Sequence, residues 1–486
     1  MKDVITGEII DNYNGLEDLN KKIIRYVDSK SFSEDPLRVL RACVFASRLK
    51  FNIEERTKTL CKNIDISNLS KERIYEEIKK ALLKSEEPSL FIKEIINIEK
   101  FDILFFPNKN NILYLEKLDY LYNILDKGAK IKDNTNNPEL FMITCLVYGL
   151  SLCISEFDEK NFLQKLSYKK ELNKSVLNLL KNNKLIKENS CIDDYFLRKL
   201  SVSSKNKFFN INDVILFNKI SNSDYNKIME TKINEIGLNE NKTITPLITG
   251  KVLQKFCIEP GIEYEKILNE CFELQLKSNY NELFKYLLEL VLLKSITPSS
   301  FFNILKETNK LEEYIPELIK LDKTEQNPLY HPEGSVYNHT MNVINIASQN
   351  RKFVNNKYEF MFSALCHDFG KISTTFTKED GKIVSYGHEN QLEESKEFLQ
   401  RLNIDYKSQE IILILQKNHM RPFMLYKQNS SLSAVKRLQR DTGDYFKDLL
   451  ILSYCDKSGS GNKSEERLRD LENYKKWFEE MLKYSS

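Results

Sequence analysis

Histidine is the scarcest informative residue in these 486 amino acids: there are five, His331, His339, His367, His388 and His419, and all lie in the last third of the chain. Nine cysteines are scattered, odd in number and without a C-x-x-C pair, which excludes a disulfide framework and a structural zinc ribbon. No run approaches about 18 consecutive apolar residues, and the first fifteen residues hold no apolar signal core, so neither membrane spanning nor secretion is expected. A reducing, cytoplasmic setting is the expectation. Neither sign of charge dominates: 73 Lys plus Arg stand against 70 Asp plus Glu, so contact with nucleic acid has to come from local patches.

With 41% hydrophobic and 29% charged residues, the chain reads as globular and long enough for several domains. Only 14 Gly and 11 Pro, among abundant Leu, Ile, Lys and Glu, make a mostly α fold the expectation. A helix is predicted from Ser33, with Asp35 as cap and Pro36 in the first helical position of LRVLRACVFASRLKF, and another over Glu72–Ser85. A segment then recurs. Pro88, Phe91, Ile95 and Pro107 are echoed by Pro298, Phe301, Leu305 and Pro316. Two copies are too few for a solenoid, and amphipathic helices that end at proline resemble one another, so duplication and coincidence both stay open. Lys323–Pro328 reads as a linker, and TTFTKEDGKIVSYGH as a small β-hairpin around Asp380–Gly381.

The strongest chemical signal is the series His339, His367–Asp368, His388, His419 and Asp456. Imidazole nitrogen and carboxylate oxygen together suit divalent first-row metals, which a phosphate-cleaving site uses to polarise phosphoryl oxygens and acidify water. A single histidine on an apolar helix face is more often a packed residue; all five inside one 89-residue window (419 − 331 + 1) argue for one site.

HPEGSVYNHT, LCHDFGK, the later G-H and a final Asp resemble the HD-domain metal-dependent phosphohydrolases, in the version attached to bacterial tRNA nucleotidyltransferases. The resemblance implies that His339, His367, Asp368 and Asp456 form a metal shell, that His388 and His419 serve a second ion, and that Asp368 bridges the two. The implied cofactor is one or two divalent ions (Mn, Ni, Co, Fe or Mg). Asp368 and Lys371 are the expected catalytic residues; Lys371, directly after Asp368-Phe369-Gly370, is read either as meeting a substrate phosphate as a point charge or as a solvated lysine at a helix end. His331 matches the motif without being an implied ligand.

GEIIDNYNGLEDL and SFSEDPLRVLRACVFASRLKF resemble the segment that follows the catalytic head in tRNA nucleotidyltransferases and bacterial poly(A) polymerases, where E-D-x-x-R reads the incoming nucleotide. Glu34, Asp35 and Arg38 match that motif, and Arg41 and Arg48 become the implied RNA contacts. PLITGKVLQKF…EPG…ILNECFELQL resembles the family's tail. The expected organisation is therefore 1–30, a remnant of the head; 31–110, a neck-like region; 111–240, a helical body; 241–325, a tail-like region; and 326–486, the HD domain. Departures occur at Val44, where the family has Arg, at Asn14, where it has Gly, and at Val252, where it has Asp. No D-x-D or R-R-D, the motifs that carry the metal-binding carboxylates of nucleotidyl transfer, occurs in these 486 residues.

The resemblance thus implies an RNA 3′-end-processing protein whose own centre is the HD phosphohydrolase, acting on cyclic phosphodiesters or phosphomonoesters, with tRNA or another RNA 3′ end as partner. Two other readings stand beside it: the RNA-binding half of a split CCA-adding enzyme, completed by a separate head polypeptide, and an HD hydrolase of free nucleotides.

Overall fold

The computed structural model describes residues 5–7, 9–105, 115–189, 192–205, 207–222, 227–238, 244–461 and 464–484. The chain is mostly α-helical, and among the described residues the only strands form two small sheets. None of the described helices is long and apolar enough to cross a membrane. The chain divides into two compact units, Met1–Thr245 and Pro246–Ser486, each with its own hydrophobic core.

In the first unit, Asp35 accepts from Leu37 N at 3.2 Å and starts the helix Leu37–Leu49, within a residue of the expected cap. That helix buries Val39, Leu40, Cys43 and Val44 and packs on the helix Lys71–Lys84. Val44 is 2% exposed, so this position holds a core side chain rather than a cation. Residues ahead of it are tied in by polar contacts. Asp11 accepts from Gly15 N and Leu16 N at 2.9 and 2.8 Å, and strand β1 (Ile23–Ile24) pairs parallel with β2 (Asn52–Ile53). Asn14 sits at φ 54°, the left-handed region that explains a preference for glycine and that asparagine tolerates. Further on, the helix Pro138–Cys153 starts on an Asn137 cap and is apolar nearly all round, as befits a helix enclosed by its neighbours. It crosses Leu118–Ile131 closely at Gly149, where a Cβ would lie 2.4 Å from Leu121 Cδ1.

The recurrent segment has one conformation in both units. Helices Ser89–Asn97 and Ser299–Glu307 each follow a proline, and each ends at a left-handed residue, Glu99 at φ 56° and Asn309 at φ 55°. The bonds that close these ends match: Lys100 N to Ile95 O at 3.0 Å, and Lys310 N to Leu305 O at 2.8 Å. Pro107 lies outside the described residues.

In the second unit, the helices Val336–Asn350, Lys357–Cys366, Tyr406–Asn418 and Phe446–Gly459 pack around one another, and the Tyr280–Lys294 helix packs against the first two. The core of this unit runs from Leu253 to Met481 without a break at Lys323–Pro328. That stretch is polar yet anchored: Val336 N donates to Thr324 O at 3.1 Å, and Gln326 is 8% exposed. The hairpin forms as expected, β3 (Thr375–Thr377) pairing antiparallel with β4 (Ile383–Ser385) around Gly381 at φ 80°.

Candidate metal centre

His339 lies one turn into the Val336–Asn350 helix, which Ser335 caps by accepting from Asn338 N. His367 and Asp368 follow the last turn of the Lys357–Cys366 helix, and His419 ends the Tyr406–Asn418 helix. His388 enters from the segment after β4, and Asp456 from the Phe446–Gly459 helix. All six expected ligand residues come together and are buried, between 0 and 7% exposed. Gly370 makes this possible: a Cβ there would lie 2.0 Å from the His388 carbonyl oxygen, so only glycine lets the His388 segment close over His367–Asp368.

Their atoms form two adjoining groups. His339, His367 and Asp456 make one, and Asp368, His388 and His419 the other, the ligand atoms in each lying within 4.8 Å of one another. Asp368 stands between them, with Oδ2 3.3 Å from His367 Nε2 and 3.9 Å from His339 Nε2, and Oδ1 3.3 Å from His388 Nε2.

The imidazoles are oriented alike. Nδ1 of His367, His388 and His419 lies 2.9, 2.9 and 2.6 Å from the carbonyl oxygens of Ala364, Ser385 and Gln416. A carbonyl only accepts, so Nδ1 carries the proton and Nε2 keeps its lone pair. All three Nε2 atoms are buried without a hydrogen-bond partner. Three buried lone pairs converging beside two carboxylates fit a divalent cation, because an unpaired buried acceptor is otherwise costly.

Three carboxylates, Asp368, Asp456 and Glu333, face Lys371, Lys457 and the His339 ring, whose Nδ1 and Nε2 lie 3.1 and 3.0 Å from Glu333 Oε1 and Asp456 Oδ1. Burial would raise Asp368, but Lys371 and His367 outweigh it and hold the carboxyl well below its ordinary value; Lys457 and His339 do the same for Asp456. Burial, together with His388, pushes His419 down to about 3, so this ring is neutral and able to coordinate. At His339 burial is overridden by Asp456 and Glu333, which raise its value.

Three contributors were not legible as such in the sequence. Glu333, inside the HPEG motif, accepts through Oε1 from His331 Nδ1 at 2.9 Å and His339 Nδ1 at 3.1 Å, while Oε2 accepts from Gly461 N at 2.8 Å. Gln326 presents Oε1 to Lys371 Nζ at 3.0 Å; an ammonium only donates, so the amide oxygen must face it and Nε2 is left as a buried donor without a partner. Lys457 sits 3.1 Å from Asp456 Oδ2 and over the Phe423 ring. Its signal was adjacency to Asp456; that of Gln326 was masked by its linker-like surroundings.

The expected nucleotide-reading residues all lie in the first unit. Glu34 is exposed. Both oxygens of Asp35 are held by Arg73 Nη2 at 2.9 Å, and the Arg38 guanidinium donates to the Ser31 carbonyl. Arg73 is a partner that the motif does not contain. Arg41 and Arg48 are exposed on one helix with Phe45, whose ring lies 6.0 Å from the Arg48 guanidinium. Phe45 also lines a cleft of about 360 Å³ with Tyr13, Leu19 and Tyr26.

Fold and site together define a helical protein with a buried His/Asp centre suited to divalent metal. No family model matches the chain. Over parts of its length it is similar to curated proteins: 43% identical over 96 residues to a multifunctional CCA protein of Pseudoalteromonas atlantica (18% of this chain, 23% of that protein). A CCA-adding enzyme of Buchnera aphidicola subsp. Cinara cedri is 31% identical over 238 residues (43% and 55%), and a multifunctional CCA protein of Pasteurella multocida 38% identical over 108 (21% and 25%). The chain thus spans between about a quarter and about half of the length of these relatives, and a relationship to the tRNA nucleotidyltransferase family is supported. Among solved structures, a CCA-adding enzyme with ATP aligns at 20% identity and a TM-score of 0.40, over 55% of this chain and 62% of that one; another with CTP reaches 0.41.

Proposed function

We propose that this protein processes RNA 3′ ends and that its competent centre is a metal-dependent HD-type phosphohydrolase acting on cyclic phosphodiesters or phosphomonoesters. The observation that carries this reading is the convergence of three orphaned imidazole Nε2 atoms on Asp368 and Asp456. His339, His367, Asp368 and Asp456 would hold one ion, and Asp368, His388 and His419 a second. A divalent ion bound there supplies Lewis acidity toward phosphoryl oxygen and acidifies water. The chain's own residues do the rest. Carbonyls and Glu333 fix each imidazole, and burial excludes bulk water. Lys371 would neutralise a phosphoryl oxygen, and Gln326 Nε2, a buried donor without a partner, would be available to it.

The exposed Arg41, Phe45 and Arg48 suit an RNA end, offering charge to phosphate and a ring to a base. The test is hydrolysis of 2′,3′-cyclic nucleotide, 2′-phosphate and phosphomonoester substrates with Mn²⁺ or Ni²⁺. Turnover that falls at least 100-fold in Asp368→Asn is expected; a metal-loaded protein that cleaves none of them refutes the hydrolase. RNA affinity without a salt slope would instead favour free nucleotides as substrates.

One observation favours the split-enzyme reading as well. Ile9, Tyr13, Leu19 and Val27 are 57, 68, 56 and 65% exposed, an apolar surface suited to a further polypeptide such as a nucleotidyltransferase head. Co-purification with such a head and restored CCA addition would support it, and absence of both would refute it.

A further inference from the structure

The recurrence seen at Pro88 and Pro298 continues through both units. In the first, Ser89 N donates to Asp126 Oδ1 at 3.0 Å and its hydroxyl to Oδ2 at 2.7 Å. In the second, Ser299 N donates to Asn345 Oδ1 at 3.0 Å, and Asn345 Nδ2 to Ser299 Oγ at 2.8 Å. This sets Leu118–Ile131 against Val336–Asn350, and buried positions then coincide: Leu121, Ile124, Leu125 and Gly128 with Thr340, Val343, Ile344 and Ala347.

The next helices share Phe141–Met142 and Phe360–Met361, and the hydroxyls of Thr144 and Ser363 bond the carbonyls four residues back at 2.8 and 2.7 Å. Asn136 N donates to Asp213 Oδ1 at 3.0 Å as Asn355 N does to Asp448 Oδ1 at 2.8 Å. Finally, VLNLLKNN (176–183) matches ILILQKNH (412–419) in register and burial. Chance likeness of amphipathic helices does not account for equivalent hydrogen bonds, wholly or partly buried, at three separate places.

This register gives each metal-centre residue but His388 a counterpart. Tyr148 stands for His367, Gly149 for Asp368, Asn183 for His419 and Ser221 for Asp456, while Tyr120, at the His339 position, is 61% exposed. The counterparts still meet. Ser221 Oγ donates to Asn183 Oδ1 at 3.1 Å, and Lys187 donates to the Tyr148 hydroxyl and, at 2.9 Å, to the Ser221 carbonyl. No carboxylate pairs with Lys187 among the described residues. Beside it opens a cleft of about 400 Å³ lined by Tyr148, Asn183, Lys181, Lys184 and Lys187, with Glu159 the single carboxylate.

We propose that the chain contains two copies of one helical framework, and that the first has exchanged metal ligands for the Lys187 ammonium, leaving a metal-independent pocket that binds a phosphoryl group without hydrolysing it. Lys181, Lys184 and Lys187 stand against Glu159 in the cleft and Glu188, 3.7 Å from Lys184, a net positive charge that attracts a phosphate dianion, and no His/Asp ligand set that would activate water lies there among the described residues.

The test is calorimetric titration of the full chain in EDTA with inorganic pyrophosphate and with a short RNA bearing a terminal phosphate. Binding of one equivalent of either is expected, weakened about tenfold or more by Lys187→Met and at least fivefold by the surface double variant Lys181→Met/Lys184→Met, which touches no buried bond. Asp368→Asn should leave it within twofold, which separates this pocket from the metal centre. Whichever probe binds more tightly names the source of the phosphate. No binding in EDTA, equal binding by the lysine variants, or loss in Asp368→Asn would overturn the proposal.

Discussion

Glu333 shows how far a single residue reaches. One carboxylate fixes the turn through His331, the tautomer of His339 and the Gly459–Gly461 segment through Gly461 N. Outer partners of this kind typically alter metal affinity 10- to 100-fold. Glu333→Gln is therefore expected to bind Mn²⁺ about 10-fold or more weakly while keeping its circular dichroism, because the amide cannot accept all three bonds. Gly370→Ala tests a different cause. Its Cβ would overlap the His388 carbonyl, so about 3 kcal/mol of destabilisation and a displaced His388 are expected in urea unfolding and metal titration. At this scale the sequence spoke plainly where a residue carries its own chemistry, as the clustered histidines do. It was silent where a role depends on a distant partner: nothing local announces that Arg73 holds Asp35, or that Gln326 turns its amide toward Lys371.

Helix type was legible because apolar spacing and caps are local properties. Asp35 and Pro36 start a helix where expected, and Asp380–Gly381 turns a hairpin. The stretch 323–328 is exposed at Lys323, Glu325 and Pro328, as its polar composition suggests, but it buries Gln326, whose amide oxygen accepts from Lys371, a distant contact that local composition does not announce. The Leu37–Leu49 helix carries its own prediction. Arg41 and Arg48 project from its exposed side, so the double variant Arg41→Ala/Arg48→Ala should lower the slope of log affinity for RNA against log salt by about two, without changing thermal stability. An unchanged slope would move RNA contact elsewhere.

At the scale of the molecule, each unit anchors a buried aspartate on the start of a helix. Asp213 accepts from Asn136, and Asp448 from Asn355 and Asn356. Asp213→Ala and Asp448→Ala should each cost about 3 kcal/mol, and hydrogen exchange should place the loss in the core of the affected unit. The duplicated framework also accounts for the helical body expected over 111–240: among its described residues the helices persist, while Tyr148, Gly149, Asn183 and Ser221 occupy the ligand positions. The central claim concerns the other copy. Its most direct test is titration of EDTA-stripped, dialysed full-length protein with Mn²⁺, followed by calorimetry and electron paramagnetic resonance. One or two ions bound per chain at micromolar or tighter affinity, reduced at least 100-fold in His367→Ala and unchanged in Tyr148→Phe, is the predicted result; a folded chain that binds no ion, or binds equally well without His367, would contradict it.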